Sequence, residues 1–255
     1  MRVLKDTTVL SNRMVATDTY LMEFAFPEIS QSAQPGQFVN FYFPERPQLF
    51  PRPFSIAGVN RENLTILYKK VGCLTSIMSQ WQPSQKIRVL GPLGNTFNIK
   101  YNNHVLIAGG VGLAPLLFLN QKLANLNYKI WNFVGVRSKD ELPPLSLLSG
   151  EKYIATEDGS VEYCGTVVDC LRNNLGAIPH PFSVYACGPE AMLSALWHLS
   201  RENHFDLQLS LEKLMACGLG ICQGCAIPHS HPSEQPLRLV CQDGPVFNAN
   251  ELDLG

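Results

Sequence analysis

Four of the chain's eight cysteines crowd the carboxy-terminal stretch: Cys217, Cys222, Cys225 and Cys241, spaced C-x4-C-x2-C-x15-C. The first three match the plant-type ferredoxin spacing for a [2Fe–2S] cluster, which also takes a distant fourth cysteine. Each iron needs two thiolates, and the bridging sulfides need hydrogen-bond donors around them rather than apolar walls. Gly218, Gly220 and Gly224 let such a loop curl with its backbone N–H groups turned inward. A structural zinc site and plain buried thiols are the alternatives. Zinc commonly uses two close cysteine pairs, and here the fourth cysteine has no near neighbour.

A second group of residues could grip phosphate. Arg52-Pro53-Phe54-Ser55 follows a loop containing Pro44, Pro47 and Pro51 and begins a strand. The planar guanidinium fork of Arg52 suits a pyrophosphate, and Pro53 stiffens the backbone that presents it. An ordinary surface arginine ahead of a strand is the competing reading. Leu67-Tyr68-Lys69 offers an aromatic side chain to lie against a ring and a cation for phosphate, although Tyr68 also suits a half-buried strand position. Leu74 and Thr75 sit where a turn runs into a short helix, whose amino end favours an anion.

Gly109-Gly110-Val111-Gly112-Leu113-Ala114-Pro115 leaves a strand and opens a helix, the place where backbone N–H groups receive a diphosphate. It departs from the Rossmann fingerprint, because Pro115 replaces the third glycine. Arg137 comes before the acidic Asp140 and Glu141, which arrive late. Glycines serving only a tight turn remain the alternative. Cys187-Gly188-Pro189 ends another strand. There Gly188 permits close approach of a ring, Pro189 starts a helix, and Cys187 is expected to point into the crevice or else to be a small buried hydrophobe. No catalytic side chain is assigned. The six histidines are dispersed, His229 and His231 fall in a polar loop read as solvent-facing, and no Ser–His–Asp order stands out.

The elements that must carry these residues change character along the chain. Up to about residue 100 the pattern is β, with strands over 20–26, 37–43, 55–59, 64–70 and 86–90, as in an antiparallel barrel or sandwich. From residue 103 strands alternate with helices: strands at 104–110, 129–136, 152–156 and 183–186, helices after residue 112, over 166–175 and over 189–203, and a last strand at 206–211. That alternation argues for a parallel sheet. The tail from Cys217 has neither period. The expected division is 1–100, 101–210 and 211–255.

With 16% charged residues and a net charge of −1, the chain lacks the clustered cations of a nucleic-acid binder. Its longest apolar stretch, residues 105–119, is broken by three Gly and one Pro, so no membrane span is expected. The start lacks a signal-peptide pattern, and free cysteines suit a reducing compartment, so the expected location is cytoplasmic.

Taken in order, R-P-x-S, then G-G-x-G-x-A-P, then C-G-P, these motifs resemble the ferredoxin–NADP reductase superfamily over nearly the whole chain. With the cysteine tail placed last, GPLGNTF at 91–97 and LEKLMACGLGICQGC, the chain looks most like the electron-transfer subunits that serve dihydroorotate dehydrogenase B. The resemblance implies a β plus α/β architecture: an antiparallel flavin-binding barrel, a parallel-sheet nucleotide-binding domain and a small C-terminal iron–sulfur domain. It implies FAD on Arg52, Pro53, Phe54, Ser55, Leu67, Tyr68, Lys69, Leu74 and Thr75, with NAD at Gly109, Gly110, Gly112, Pro115, Cys187, Gly188 and Pro189. Lys69 stands where the family usually has arginine, and Leu74 where it has glycine. Implied too is a partner, an FMN-containing catalytic subunit joined in a heterotetramer, from which electrons pass through the [2Fe–2S] cluster and FAD to NAD+ in pyrimidine (UMP) biosynthesis. The other implied role is an NAD(P)H-linked reductase subunit of a hydrogenase or a ferredoxin transhydrogenase. A zinc-stabilised binding module is the non-enzymatic alternative.

Overall fold

The computed structural model describes residues 2–43, 50–230 and 236–253; Pro44, Pro47 and His231 lie outside the described residues. The amino-terminal part closes a six-stranded antiparallel barrel from β1 (Val3–Ala16), β2 (Thr19–Ala25), β3 (Phe38–Tyr42), β4 (Arg52–Asn60), β5 (Asn63–Lys69) and β6 (Lys86–Leu93). Their order around the barrel is β1-β2-β5-β4-β3-β6. Two short helices, α1 (Pro27–Ser30) and α2 (Cys73–Met78), interrupt it. Alternation drives closure: on β2, Met22 and Phe24 are buried while Leu21, Glu23 and Ala25 flanking them are half-buried. The inward set meets at Phe24 and Phe41, whose rings pack edge to face at 5.3 Å.

The sequence expectation begins at residue 20 and passes over β1. That strand changes partners midway, pairing with β6 from Val3 to Thr8 and with β2 from Val9 onward. Only Thr7 and Val9 on it are buried, so no period-two signal survives.

The second unit is a seven-stranded sheet. Parallel strands β7 (Asn103–Gly109), β8 (Lys129–Val136), β9 (Glu151–Thr156), β10 (Tyr163–Cys164), β11 (Phe182–Cys187) and β12 (Asp206–Ser210) run in the order β10-β9-β8-β7-β11-β12. Helices α3 (Leu113–Asn125), α4 (Val167–Asn174) and α5 (Glu190–Asn203) make the crossovers. The tail, in which no strand is expected, holds three short ones: β13 (Ala226–Pro228) pairs with β14 (Leu237–Leu239), and β15 (Val246–Asn248) joins β12 antiparallel at the edge of the large sheet. Three-residue strands are too short to show a period in sequence.

Helix α3 bonds the barrel to the sheet. The Gln121 amide donates to Val59 O at 2.9 Å and accepts from Val59 N at 3.3 Å, and Lys122 Nζ donates to Gln34 at 2.6 Å. Leu67 of the barrel shares a buried cluster with Leu113, Leu116 and Tyr185. Asn95, just past β6, donates to Asp243 O at 2.8 Å and Val246 O at 2.7 Å and accepts from Val246 N at 2.9 Å.

Beneath the sheet lies His104 of β7, fully buried against Tyr128 and Tyr185. Burial pushes its imidazole down to about 4, against a weaker upward pull from the Tyr101 backbone. The folded state therefore keeps it neutral while the unfolded chain takes up a proton below the ordinary 6.5. Stability is unaffected above that value, falls as pH drops from there to about 4, and loses on the order of 3 kcal/mol over that window. The urea midpoint of wild type should thus fall more steeply between neutral pH and pH ~4.5 than that of His104→Gln. Equal slopes would refute the assignment.

Candidate cofactor and nucleotide sites

The chain after β12 curls into the cysteine loop with residues in left-handed conformations at Gly218 (φ 67°), Gly220 (φ 82°) and Gln223 (φ 56°). These turns aim backbone donors at sulfur. Leu219 N and Cys222 N approach Cys217 Sγ at 3.3 and 3.5 Å, Gly220 N approaches Cys241 Sγ at 3.1 Å, and Cys241 N approaches Cys225 Sγ at 3.4 Å. Burial raises the Cys217 thiol, but N–H groups from Cys222, Leu219 and Ile221 and the Cys222 thiol outweigh it and bring Cys217 down to about 6. Cys241 is pushed up to about 12, first by burial and then by the neighbouring Cys225.

The four thiols fall into two hydrogen-bonded pairs, Cys217 with Cys222 and Cys225 with Cys241. Among the described residues no three His, Cys, Asp or Glu side chains converge as a single metal ion requires. Two pairs, each able to serve one iron, fit a binuclear cluster, and the inward N–H groups fit its sulfides. Cys225 and Cys241 are buried, whereas Cys222 is exposed beside Ile221, which is 79% exposed.

The loop is seated on the barrel. Asn40, fully buried on β3, donates from Nδ2 to Cys217 O at 3.2 Å, and a Cβ on Gly218 would run into that amide. Asn40 in turn stands opposite Pro53 on β4, so the cysteine loop and Arg52-Pro53-Phe54-Ser55 lie on neighbouring strands. Arg52 opens β4 with its guanidinium turned back onto Phe50 O at 3.0 Å. Phe54 packs edge-on between Phe41 and Tyr68.

Of the two readings of Tyr68, the structure favours the buried strand position over an open aromatic face. It is 2% exposed, stacks on Tyr20 at 5.4 Å, and donates its hydroxyl to Asn12 Oδ1 at 3.1 Å. Leu67 and Leu74 are likewise buried, Leu74 within the barrel core. The Thr75 hydroxyl accepts from Val71 N (2.9 Å) and Gly72 N (3.1 Å), closing the first turn of α2.

A cavity of about 800 Å³ opens at the carboxyl ends of the parallel strands, where such sheets bind ligands. The two glycine turns meet there. Gly109 and Gly188 pack so closely that a Cβ on Gly188 would sit 3.0 Å from Gly109 Cα, and a Cβ on Gly112 would strike the Cys187 carbonyl. Gly110, at φ 55°, has open space around it. Gly109, Gly110, Gly112, Gly188 and Pro189 line the cavity. Pro115 is buried in the first turn of α3 and does not.

Of the two readings of Cys187, the structure has the small buried residue. It is 1% exposed and absent from the cavity wall, with its thiol 4.0 Å from the Glu212 carboxylate, which does line the wall. Burial raises both groups, the thiol strongly. Sequence reasoning passed over Glu212, because a glutamate in a polar segment reads as exposed. It also missed Glu157, and it noted Glu141 only as an acidic residue arriving late, without placing it in the cavity wall. Thr166 and Asp169 line the cavity too, and their spacing was a readable helix-start signal: Asp169 N donates to Thr166 Oγ1 at 3.1 Å. No described helix is long and apolar enough to cross a membrane.

Comparison with known proteins agrees with this geometry. Residues 212–253 match the family described as the iron–sulfur cluster binding domain of dihydroorotate dehydrogenase B. The "Dihydroorotate dehydrogenase B (NAD(+)), electron transfer subunit" of Desulforamulus reducens is 36% identical over 95% of this chain and 95% of its own. The protein of the same description from Caldanaerobacter subterraneus subsp. tengcongensis is 36% identical over 99% of both. Among solved structures, one of an NADH-dependent reduced ferredoxin-NADP oxidoreductase superposes with a TM-score of 0.87 at 27% identity, covering 97% of this chain and 90% of that one. A ferredoxin reductase of carbazole 1,9a-dioxygenase shares the fold at 17% identity and a TM-score of 0.69, over 80% of this chain and 67% of that one.

Proposed function

This chain belongs to the dihydroorotate dehydrogenase B (NAD(+)) electron transfer subunits, and from that premise we propose how its residues divide the work. It is an oxidoreductase subunit of pyrimidine biosynthesis that exchanges electrons with NAD+ and carries FAD and a [2Fe–2S] cluster. When bound, FAD and the cluster supply two-electron and one-electron chemistry respectively, the combination needed between a single-electron donor and nicotinamide.

Cys217 and Cys222 hold one iron, Cys225 and Cys241 the other. The observation that carries this reading is the pairing of these thiols under backbone N–H donors in a loop seated on β3. Arg52, Pro53, Phe54 and Ser55 hold FAD together with Lys69 and the α2 turn at Leu74 and Thr75, while Leu67 and Tyr68 back that surface from the core. Gly109, Gly110, Gly112, Gly188 and Pro189 receive NAD by backbone approach, with Pro115 and Cys187 buried behind them. What the chain does for hydride transfer is to orient the rings and exclude water, and no side-chain acid or base is assigned. The units we assign are 1–100, 101–210 and 211–255, supported by the barrel's last strand ending at Leu93 and the sheet's first starting at Asn103.

The partner we propose is an FMN-containing catalytic subunit in a heterotetramer, docking where Ile221 stands exposed beside Cys222. A cytoplasmic setting suits eight cysteines that form no disulfide with one another, four of them assigned to the cluster. Protein purified without oxygen and titrated with NADH should bleach a flavin absorbance band and develop a reduced-cluster paramagnetic signal, with about two iron atoms per chain. Iron-free protein would sink the cluster assignment.

A further inference from the structure

By its place just past the end of β8, the first strand after the glycine turn, Arg137 is where an arginine would accommodate the 2′-phosphate of NADP. Yet the relatives are described as NAD(+)-linked. The residues around Arg137 resolve that tension. Glu141, only 21% exposed, sits 3.6 Å from Arg137 Nε and 3.2 Å from Lys69 Nζ, so one carboxylate holds a cation from each side of the cavity. Its short turn is pinned at both ends: Asp140 O accepts from Thr17 N of the barrel at 2.9 Å, and Lys139 N donates to Ser160 Oγ at 2.8 Å. Glu157, at the end of β9, faces the same cavity. The remaining cation of the wall, Arg172, is held by Asp169 at 2.6 Å. Each cation that the cavity offers to a ligand is therefore already matched by a carboxylate.

The crevice runs across strand ends. Gly188 and Pro189 lie beyond β11, the glycine turn beyond β7, Arg137 beyond β8 and Glu157 beyond β9. A dinucleotide with its diphosphate on the glycine turn and its nicotinamide toward Gly188 reaches the β8 and β9 ends with its adenosine ribose. We propose that Glu141 is the specificity-determining residue of this cavity: it engages Arg137 and presents a negative charge where a 2′-phosphate would lie, so NAD is taken and NADP refused. Such an exposed pair contributes little to stability, since Arg137 is 72% exposed. Its effect is on selection, because a carboxylate near an extra phosphate repels it and an engaged guanidinium has less to give. Lys69 stays near Glu141 on the barrel side, so the same carboxylate also ties the selection site to the flavin unit.

This inference rests on reading the cavity as the nucleotide site, and the test separates the two. The full-length, FAD-loaded protein is titrated calorimetrically with 5′-AMP and with 2′,5′-ADP, and a flavin absorbance spectrum confirms that each variant is folded and loaded. Glu141→Gln should tighten 2′,5′-ADP by on the order of tenfold while 5′-AMP stays within about twofold. Adding Arg137→Ala to Glu141→Gln should cancel the gain. An unchanged ratio of the two affinities overturns the inference and leaves the cavity reading standing, as does a gain that survives loss of Arg137. Failure of wild type to bind 5′-AMP at all overturns the cavity reading and the inference with it. Single-turnover flavin reduction by NADPH gives a second readout and should rise in Glu141→Gln relative to NADH.

Discussion

Cys222→Ala is expected to remove the paramagnetic cluster signal and to stop electron exchange with the catalytic partner, while NADH still reduces the flavin at close to the wild-type rate. Cys222 is the exposed member of the Cys217 pair, and its backbone N–H and thiol both bring Cys217 down toward the thiolate. Losing that thiol leaves one iron with a single cysteine, so the loss of partner-linked turnover should be about a hundredfold or more. The flavin and nucleotide residues lie on β4, β5, α2 and the glycine turns, outside the cysteine loop. Retention of partner-linked turnover would refute the cluster assignment. Equal loss of both activities would refute the separation of the two sites.

Gly112→Ala is expected to weaken NADH binding by roughly ten- to a hundredfold, and to cost about 1–3 kcal/mol of stability, through crowding alone. Its backbone is in ordinary right-handed helical geometry (φ −58°), so alanine meets no conformational penalty there. The obstacle is the β11 end: a Cβ would strike the Cys187 carbonyl and come within 2.8 Å of Gly188 N, all of it sheet backbone that cannot yield cheaply. Gly110→Ala is the contrast. There φ is 55° but nothing lies within 4 Å, so only the left-handed penalty of about 1–2 kcal/mol applies. Nucleotide titrations and denaturation of the two variants check both expectations. Equal effects of the two on NADH affinity would contradict the close-approach account.

The cysteine spacing and the glycine turns were legible because each encodes local geometry: a loop curling around sulfur, a strand ending in a helix. The barrel and the parallel sheet were legible through periodicity. What escaped was set by tertiary contacts. β1 hides its period by changing partners at Val9. Tyr68 reads as an available ring, yet Tyr20, Phe54 and Asn12 already occupy it. Cys187 reads equally as a strand-tip thiol aimed at ligand or as a small buried residue, and only folding, with the Gly112 backbone pressed across it, decides for the second. Glu141 gains its importance from Lys69, far off in sequence, and no local pattern records that pairing.

The antiparallel strand that the tail returns to the edge of β12, together with the three bonds from Asn95, means that the iron-binding portion is no detachable module. Cutting the chain ahead of it would strip a covering strand from the α/β unit and uncover a row of unpaired amides beside Leu207 and Leu209. A shortened version meant to keep flavin chemistry alone would carry a sticky flank, so the metal-bearing segment also works as a molecular hem against misassembly.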